Sequence, residues 1–159
     1  MVTLSRLLRF KACLLTLSLS ILIILPRTTS AQEQGRLYLQ NFSFKDYEAH
    51  QQNWVTVQDR AGVIYVGNNW GILEFDGLNW RLITTDKNST VIALDIDQND
   101  RIYVGAEDGI GYLQRDQFGQ RRFVSLSKFV PESAKPLSDI WRVHASEDGV
   151  YFFTTTKIL

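Results

Sequence analysis

The sequence predicts an all-β fold: a partial β-propeller of two blades plus the start of a third, each a four-stranded antiparallel meander, behind an N-terminal signal peptide. Three observations carry this expectation. The first is a repeat, in which Asp59, Tyr65, Gly67 and Gly71 recur as Asp97, Tyr103, Gly105 and Gly109, all at an offset of 38. Self-similarity at a fixed period marks solenoids and propellers, where one supersecondary unit is stacked many times. The second is a looser third copy, Ile140-Trp141-Arg142-Val143 and Asp148 to Thr154. With Thr154 at the glycine position, Trp141 stands 13 residues before it, as Trp54 stands 13 before Gly67. The third is a series of strand-length runs parted by turn residues, with no helical periodicity after residue 50.

The elements follow in order. Trp54 to Val57 is β-branched and aromatic, which suits a pleated, half-buried surface. Asp59 to Gly62 reads as a turn. Val63 to Val66 is a continuous apolar run, the pattern of a strand covered on both faces. Gly67 to Gly71 turns the chain again, and Ile72 to Phe75 leads into Asp76-Gly77, a short hairpin signal. Asn79 to Ile83 alternates, with Trp80 and Leu82 facing one way. The second copy predicts strands over Val91 to Ile96, Arg101 to Gly105, Ile110 to Leu113 and Arg122 to Leu126. The connection Ser127 to Ser138 holds Pro131 and Pro136, which remove backbone donors and favour a loop. Blades are therefore expected over 53–90, 91–139 (with the proline-containing connection) and 140–159 (truncated), after a lead-in over 32–52.

Residues 1–31 read as a separate signal. Arg6, Arg9 and Lys11 precede the apolar run Ala12 to Leu25, and small residues up to Ala31 follow. That is the layout of a secretory signal peptide; 14 apolar residues are short of the roughly 20 a spanning helix needs. The only cysteine, Cys13, would leave with it, so no disulfide or cysteine metal site is expected. Removing the signal takes four of the 17 Lys and Arg and none of the 17 acids, leaving 13 against 17, a net of −4. An acidic balance without a basic cluster argues against a nucleic-acid partner. The third copy stops before the strands that complete the first two, which predicts that the chain is the first part of a longer protein.

The run Asn41 to Trp54, followed by Ile64-Tyr65-Val66-Gly67-Asn68-Asn69-Trp70-Gly71-Ile72-Leu73-Glu74-Phe75-Asp76-Gly77 and Trp80, resembles the opening of two-component regulator propeller proteins, exported sensors of the Bacteroidetes type. Arg101 to Gly105 with Gly109 and Gly111-Tyr112-Leu113, then Glu147 to Phe152, continue the likeness. The resemblance implies an extracytoplasmic propeller at the periplasmic face of the inner membrane. It also implies downstream triple-tyrosine and membrane-spanning domains and an output such as a histidine kinase or transcriptional regulator. None of those output motifs is in this chain. The implied role is ligand sensing, for a small molecule or glycan, with the signalling chemistry elsewhere. The alternatives are a periplasmic propeller enzyme acting on glycans and a passive scaffold propeller.

Candidate sites weigh toward binding. Asp95-Ile96-Asp97-Gln98-Asn99-Asp100 has the spacing of half a calcium loop, but an EF-hand needs Gly at position six and Glu at twelve, where Asp100 and Ala106 stand. An acidic turn like Asp59 to Gly62 is the expected reading. His50 and His144 have no metal spacing, and His144 is expected to face solvent. Glu74 with Asp76, or Glu107 with Asp108, could be imagined as glycosidase pairs, yet they bracket strands and turns; no catalytic residue, metal or cofactor is expected. Trp54, Trp80 and Trp141 fall on strands and are expected to pack between blades. Trp70 sits in a turn, which makes it the candidate for ligand or inter-blade contact.

Overall fold

The structure, a computed structural model, describes residues 39–159, so the expected signal over 1–31 and residues 32–38 of the lead-in lie outside it. The described chain is all-β apart from one helical turn, α1 (Phe44–Tyr47), and two 3₁₀ turns at 127–129 and 132–134. Strands β1 (Asn53–Gln58), β2 (Ile64–Asn68), β3 (Gly71–Phe75) and β4 (Trp80–Ile83) form one antiparallel sheet in chain order. A second follows with the same order, from β5 (Val91–Ile96), β6 (Ile102–Ala106), β7 (Ile110–Arg115) and β8 (Arg121–Ser125). In the third, β9 (Arg142–Ala145) pairs with β10 (Val150–Phe153), and Phe153 bridges to Ile158.

Each sheet is a meander because its turns are short and locally satisfied. Asp59 Oδ1 accepts the Ala61 and Val63 amides, each at 3.0 Å, and Asp97 Oδ1 accepts those of Asn99 and Arg101 at 2.8 and 2.9 Å. An aspartate that bonds its own following backbone is a turn-former in its own right. In both repeats the tyrosine six residues on donates to the second carboxylate oxygen. The third copy replaces both members together, with Ser146 and Phe152 standing where Asp59 and Tyr65 stand. Asp76 and Asp116 do the same for the later hairpins. The Asp76-Gly77 hairpin is a four-residue loop, and its counterpart Asp116 to Gln120 is one residue longer.

The first strand of each sheet is an edge strand, and these edges lie side by side, β1 against β5 and β5 against β9. Between the first two sheets Tyr65, Ile72, Leu94, Ile102, Val104 and Leu113 form one core. Between the second and third, Ala93, Ile110, Ile140, Val143 and Phe152 form another. Close approach fixes the repeated glycine. A Cβ on Gly67 would lie 2.6 Å from the Val91 carbonyl oxygen, and one on Gly105 2.5 Å from Ile140 Cγ2. The lead-in takes the place of a preceding sheet: Phe42, Tyr47 and Ala49 cover the other face of sheet one against Val66, Leu73 and Trp80.

Candidate functional site

Two opposite ends of the sheets carry different chemistry. At the end where β1 begins, Asn68 is wholly buried and organises the surroundings. Its side-chain amide donates to the carbonyl oxygens of His50 and Gln52 and to Asn53 Oδ1, and its Oδ1 accepts the Trp70 amide at 3.0 Å. The lead-in is thereby tied to the sheet, and the Asn69-Trp70 turn is held in place. Trp70 is 51% exposed and meets the His50 ring edge-on at 6.0 Å. Its neighbour Asn69 accepts the Trp54 indole N–H at 2.7 Å.

The tryptophans divide differently from the sequence expectation. Trp80 does pack, against Phe42, Tyr47 and Phe75. Trp54 and Trp141 are instead 46% and 52% exposed. Trp54 falls at a bulge between Asn53 and Val55 on edge strand β1, and Trp141 lies one residue ahead of β9, outside the strand on which it was expected. Trp54, Ile92 and Trp141 hold the same place in the three repeats, and all line a groove of about 570 Å³ across β1, β5 and β9. Sequence reading missed this because alternation alone marks neither a bulge nor the first residue of a strand; the equivalence of Trp54 and Trp141 was the available signal.

Polar groups stand along the groove. Asp95 Oδ2 accepts the Ala145 amide at 2.8 Å, tying repeat two to repeat three, and lies 3.8 Å from His144 Nδ1. Arg142 and His144 are exposed beside it. The arrangement offers two flat indoles for stacking, with a carboxylate, an imidazole and a guanidinium for hydrogen bonds, a combination suited to holding a ring-bearing polar ligand.

The other candidate residues are engaged elsewhere. Asp97 caps its turn, Glu74 pairs with Arg81 at 2.9 Å, and Asp76 caps the β3–β4 loop. Asp108 bonds Ser89 Oγ at 2.6 Å and Lys87 Nζ at 2.8 Å. Burial works against its ionisation, but those two donors outweigh it and hold the carboxyl below its ordinary range. Among the described residues no group of three or more His, Cys, Asp or Glu could hold a metal ion, and no helix is long and apolar enough to cross a membrane.

The seam between sheets one and two is polar at the opposite end. Arg121 Nη2 lies 3.2 Å from Asp59 Oδ2, the two side chains being 7% and 2% exposed, and its guanidinium lies 5.2 Å from the Tyr65 ring centre. Arg81 donates to the Arg121 carbonyl at 3.0 and 3.1 Å, and Arg60 donates to the Gln98 carbonyl. No family model, curated protein or solved structure matches the chain.

Proposed function

We propose that this chain is the ligand-recognising propeller segment of an exported sensor protein, its three sheets being successive blades and its signalling output lying outside these residues. The observation that carries the reading is the groove over the three side-by-side edge strands, where repeats one and three each present a half-exposed tryptophan at the same position. Edge strands gathered in that way are what the inner strands of a propeller would be, and recognition by an array of repeats is how such folds work. The acidic balance and the resemblance of Asn41 to Gly77 to two-component regulator propellers agree with a periplasmic small molecule or glycan as ligand. In this reading the chain binds and carries no catalytic residue, and further domains of the same polypeptide convert binding into a signal.

The test is tryptophan fluorescence and calorimetry on the full-length protein against panels of oligosaccharides and short peptides. A saturable ligand is expected whose affinity falls by about tenfold or more in Trp54→Ala and Trp141→Ala, the size of one lost stacking contact. Binding indifferent to both substitutions, or turnover of the bound glycan, would remove the reading.

A further inference from the structure

We propose a second binding site, distinct from the tryptophan groove: a pocket at the Asp59 end that takes a small oxyanion, a carboxylate or phosphate group, between Arg101 and Arg115. The cavity has a volume of about 380 Å³ and lies between the Asp59 turn, the Asp97–Asp100 turn and the start of β8. That is within the range of small-molecule sites. Its lining holds three guanidiniums, Arg101, Arg115 and Arg121, against two carboxylates, Asp59 and Asp100. Both carboxylates already have partners: Arg121 pairs with Asp59, and Arg60 stands 3.8 Å from Asp100. Arg101 and Arg115 make no ion pair among the described residues, although most of the arginines there do.

Neither free guanidinium is a loose surface charge. Arg101 lies over the Tyr112 ring at 5.1 Å, and Arg115 Nη1 donates to the Gly119 carbonyl at 3.0 Å. Each keeps further N–H donors unused, and Arg offers them in a fixed fork that matches the two oxygens of a carboxylate or phosphate. Gln114 accepts the Tyr112 hydroxyl through Oε1, which leaves its amide N–H groups available on the same wall. Beneath them Arg121 is nine-tenths buried, and its Nε has no hydrogen-bond partner. Its charge is balanced by Asp59 at 3.2 Å, so the unpaired positive charge of the pocket rests on Arg101 and Arg115.

The experiment titrates the full chain with inorganic phosphate and, separately, with succinate, following amide shifts and calorimetric heat at fixed ionic strength. Saturable binding of one or both is expected; phosphate alone would assign an inorganic or phosphoryl ligand, succinate alone an organic carboxylate. Arg101→Gln and Arg115→Gln should each weaken that binding by about tenfold or more, the size of one charge-assisted hydrogen bond. Their melting temperatures without ligand should stay near wild type, because both side chains are exposed. Arg122→Gln removes the same charge nearby, from a residue already paired with Asp116, and should leave binding within about twofold. Absence of saturable binding by either probe overturns the proposal. So does an Arg122→Gln effect as large as that of Arg101→Gln, because it would mark a diffuse field and no pocket.

Discussion

Asp59 does two things with one carboxylate. Oδ1 closes the β1–β2 turn, while Oδ2 meets the Tyr65 hydroxyl and the Arg121 guanidinium from the next sheet. Burial pushes the Tyr65 hydroxyl above its ordinary range, so it remains a donor wherever the protein is folded. Asp97 has the turn and the tyrosine but no guanidinium, which makes it an internal control. Asp59→Asn is therefore expected to cost about 3–5 kcal/mol in urea unfolding, since it strands a buried cation. Asp97→Asn should cost about 1 kcal/mol, a weakened turn bond and little more. Arg121→Met should fall between them, because Asp59 keeps three hydrogen bonds after the arginine is gone. Equal losses for the two aspartates would mean that the inter-sheet pair contributes nothing beyond its turn.

Strands and turns set the spacing between sheets, and two consequences follow for them. Gly67 and Gly105 sit where the next sheet presses closest, so an added methyl must displace the Val91 backbone or the buried Ile140 side chain. Gly67→Ala and Gly105→Ala are each expected to lose about 1–3 kcal/mol, the former more because a backbone carbonyl yields less than a side chain. Gly109 has only Ser127 Oγ near, at 3.8 Å, and Gly109→Ala should stay within about 0.5 kcal/mol in the same urea melts. A Gly109 loss matching that of Gly105 would refute the crowding argument. The turn aspartates make the second consequence. The Asn79 and Leu78 amides hold the Asp76 carboxyl below 3.8, and Arg122 with the Phe118 and Gln120 amides does so for Asp116. With folded values below unfolded ones, the unfolded chain binds more protons as pH falls, so this stabilisation is complete above about pH 4 and is lost below it. Urea midpoints should be level from about pH 7 to 5 and drop below about pH 4. Asp76→Asn should flatten part of that drop; an unchanged slope would exclude this turn as a source.

For the whole molecule, the sequence already contained the meander order and nearly every strand, because Asp turns, glycine spacing and β-branched runs are local signals. Val91 to Ile96 appears as read, and most other boundaries move by one or two residues. The site was less legible. Trp70 stands in a turn as read but does not line the groove, and the exposure of Trp54 and Trp141 depends on a bulge in β1 and on where β9 begins, which residue types alone do not mark. The Arg121–Asp59 pair joins residues 62 apart, and no spacing rule reaches across two sheets. The same assembly predicts how the molecule loosens. In stacked repeats each unit is stabilised by its own folding and by its neighbours. Sheet two has a packed neighbour on both faces, and sheet one has the lead-in and sheet two. Sheet three has two strands and a bridge, and among the described residues it packs on sheet two and on the connection that holds Val130 and Leu137, through Ile140, Val143 and Phe152. Cross-seam bonds follow the same order: Arg81, Arg60 and Arg121 tie sheets one and two, whereas Asp95 to Ala145 and Ile140 to Ala106 tie two and three. Local opening should therefore begin at β9 and β10 and reach β6 and β7 last. Hydrogen exchange on the full chain, read by mass spectrometry, is expected to label 142–153 well before 102–115. Equal protection of the two segments would show the three sheets opening as one cooperative body, and nearest-neighbour packing would then not govern its stability.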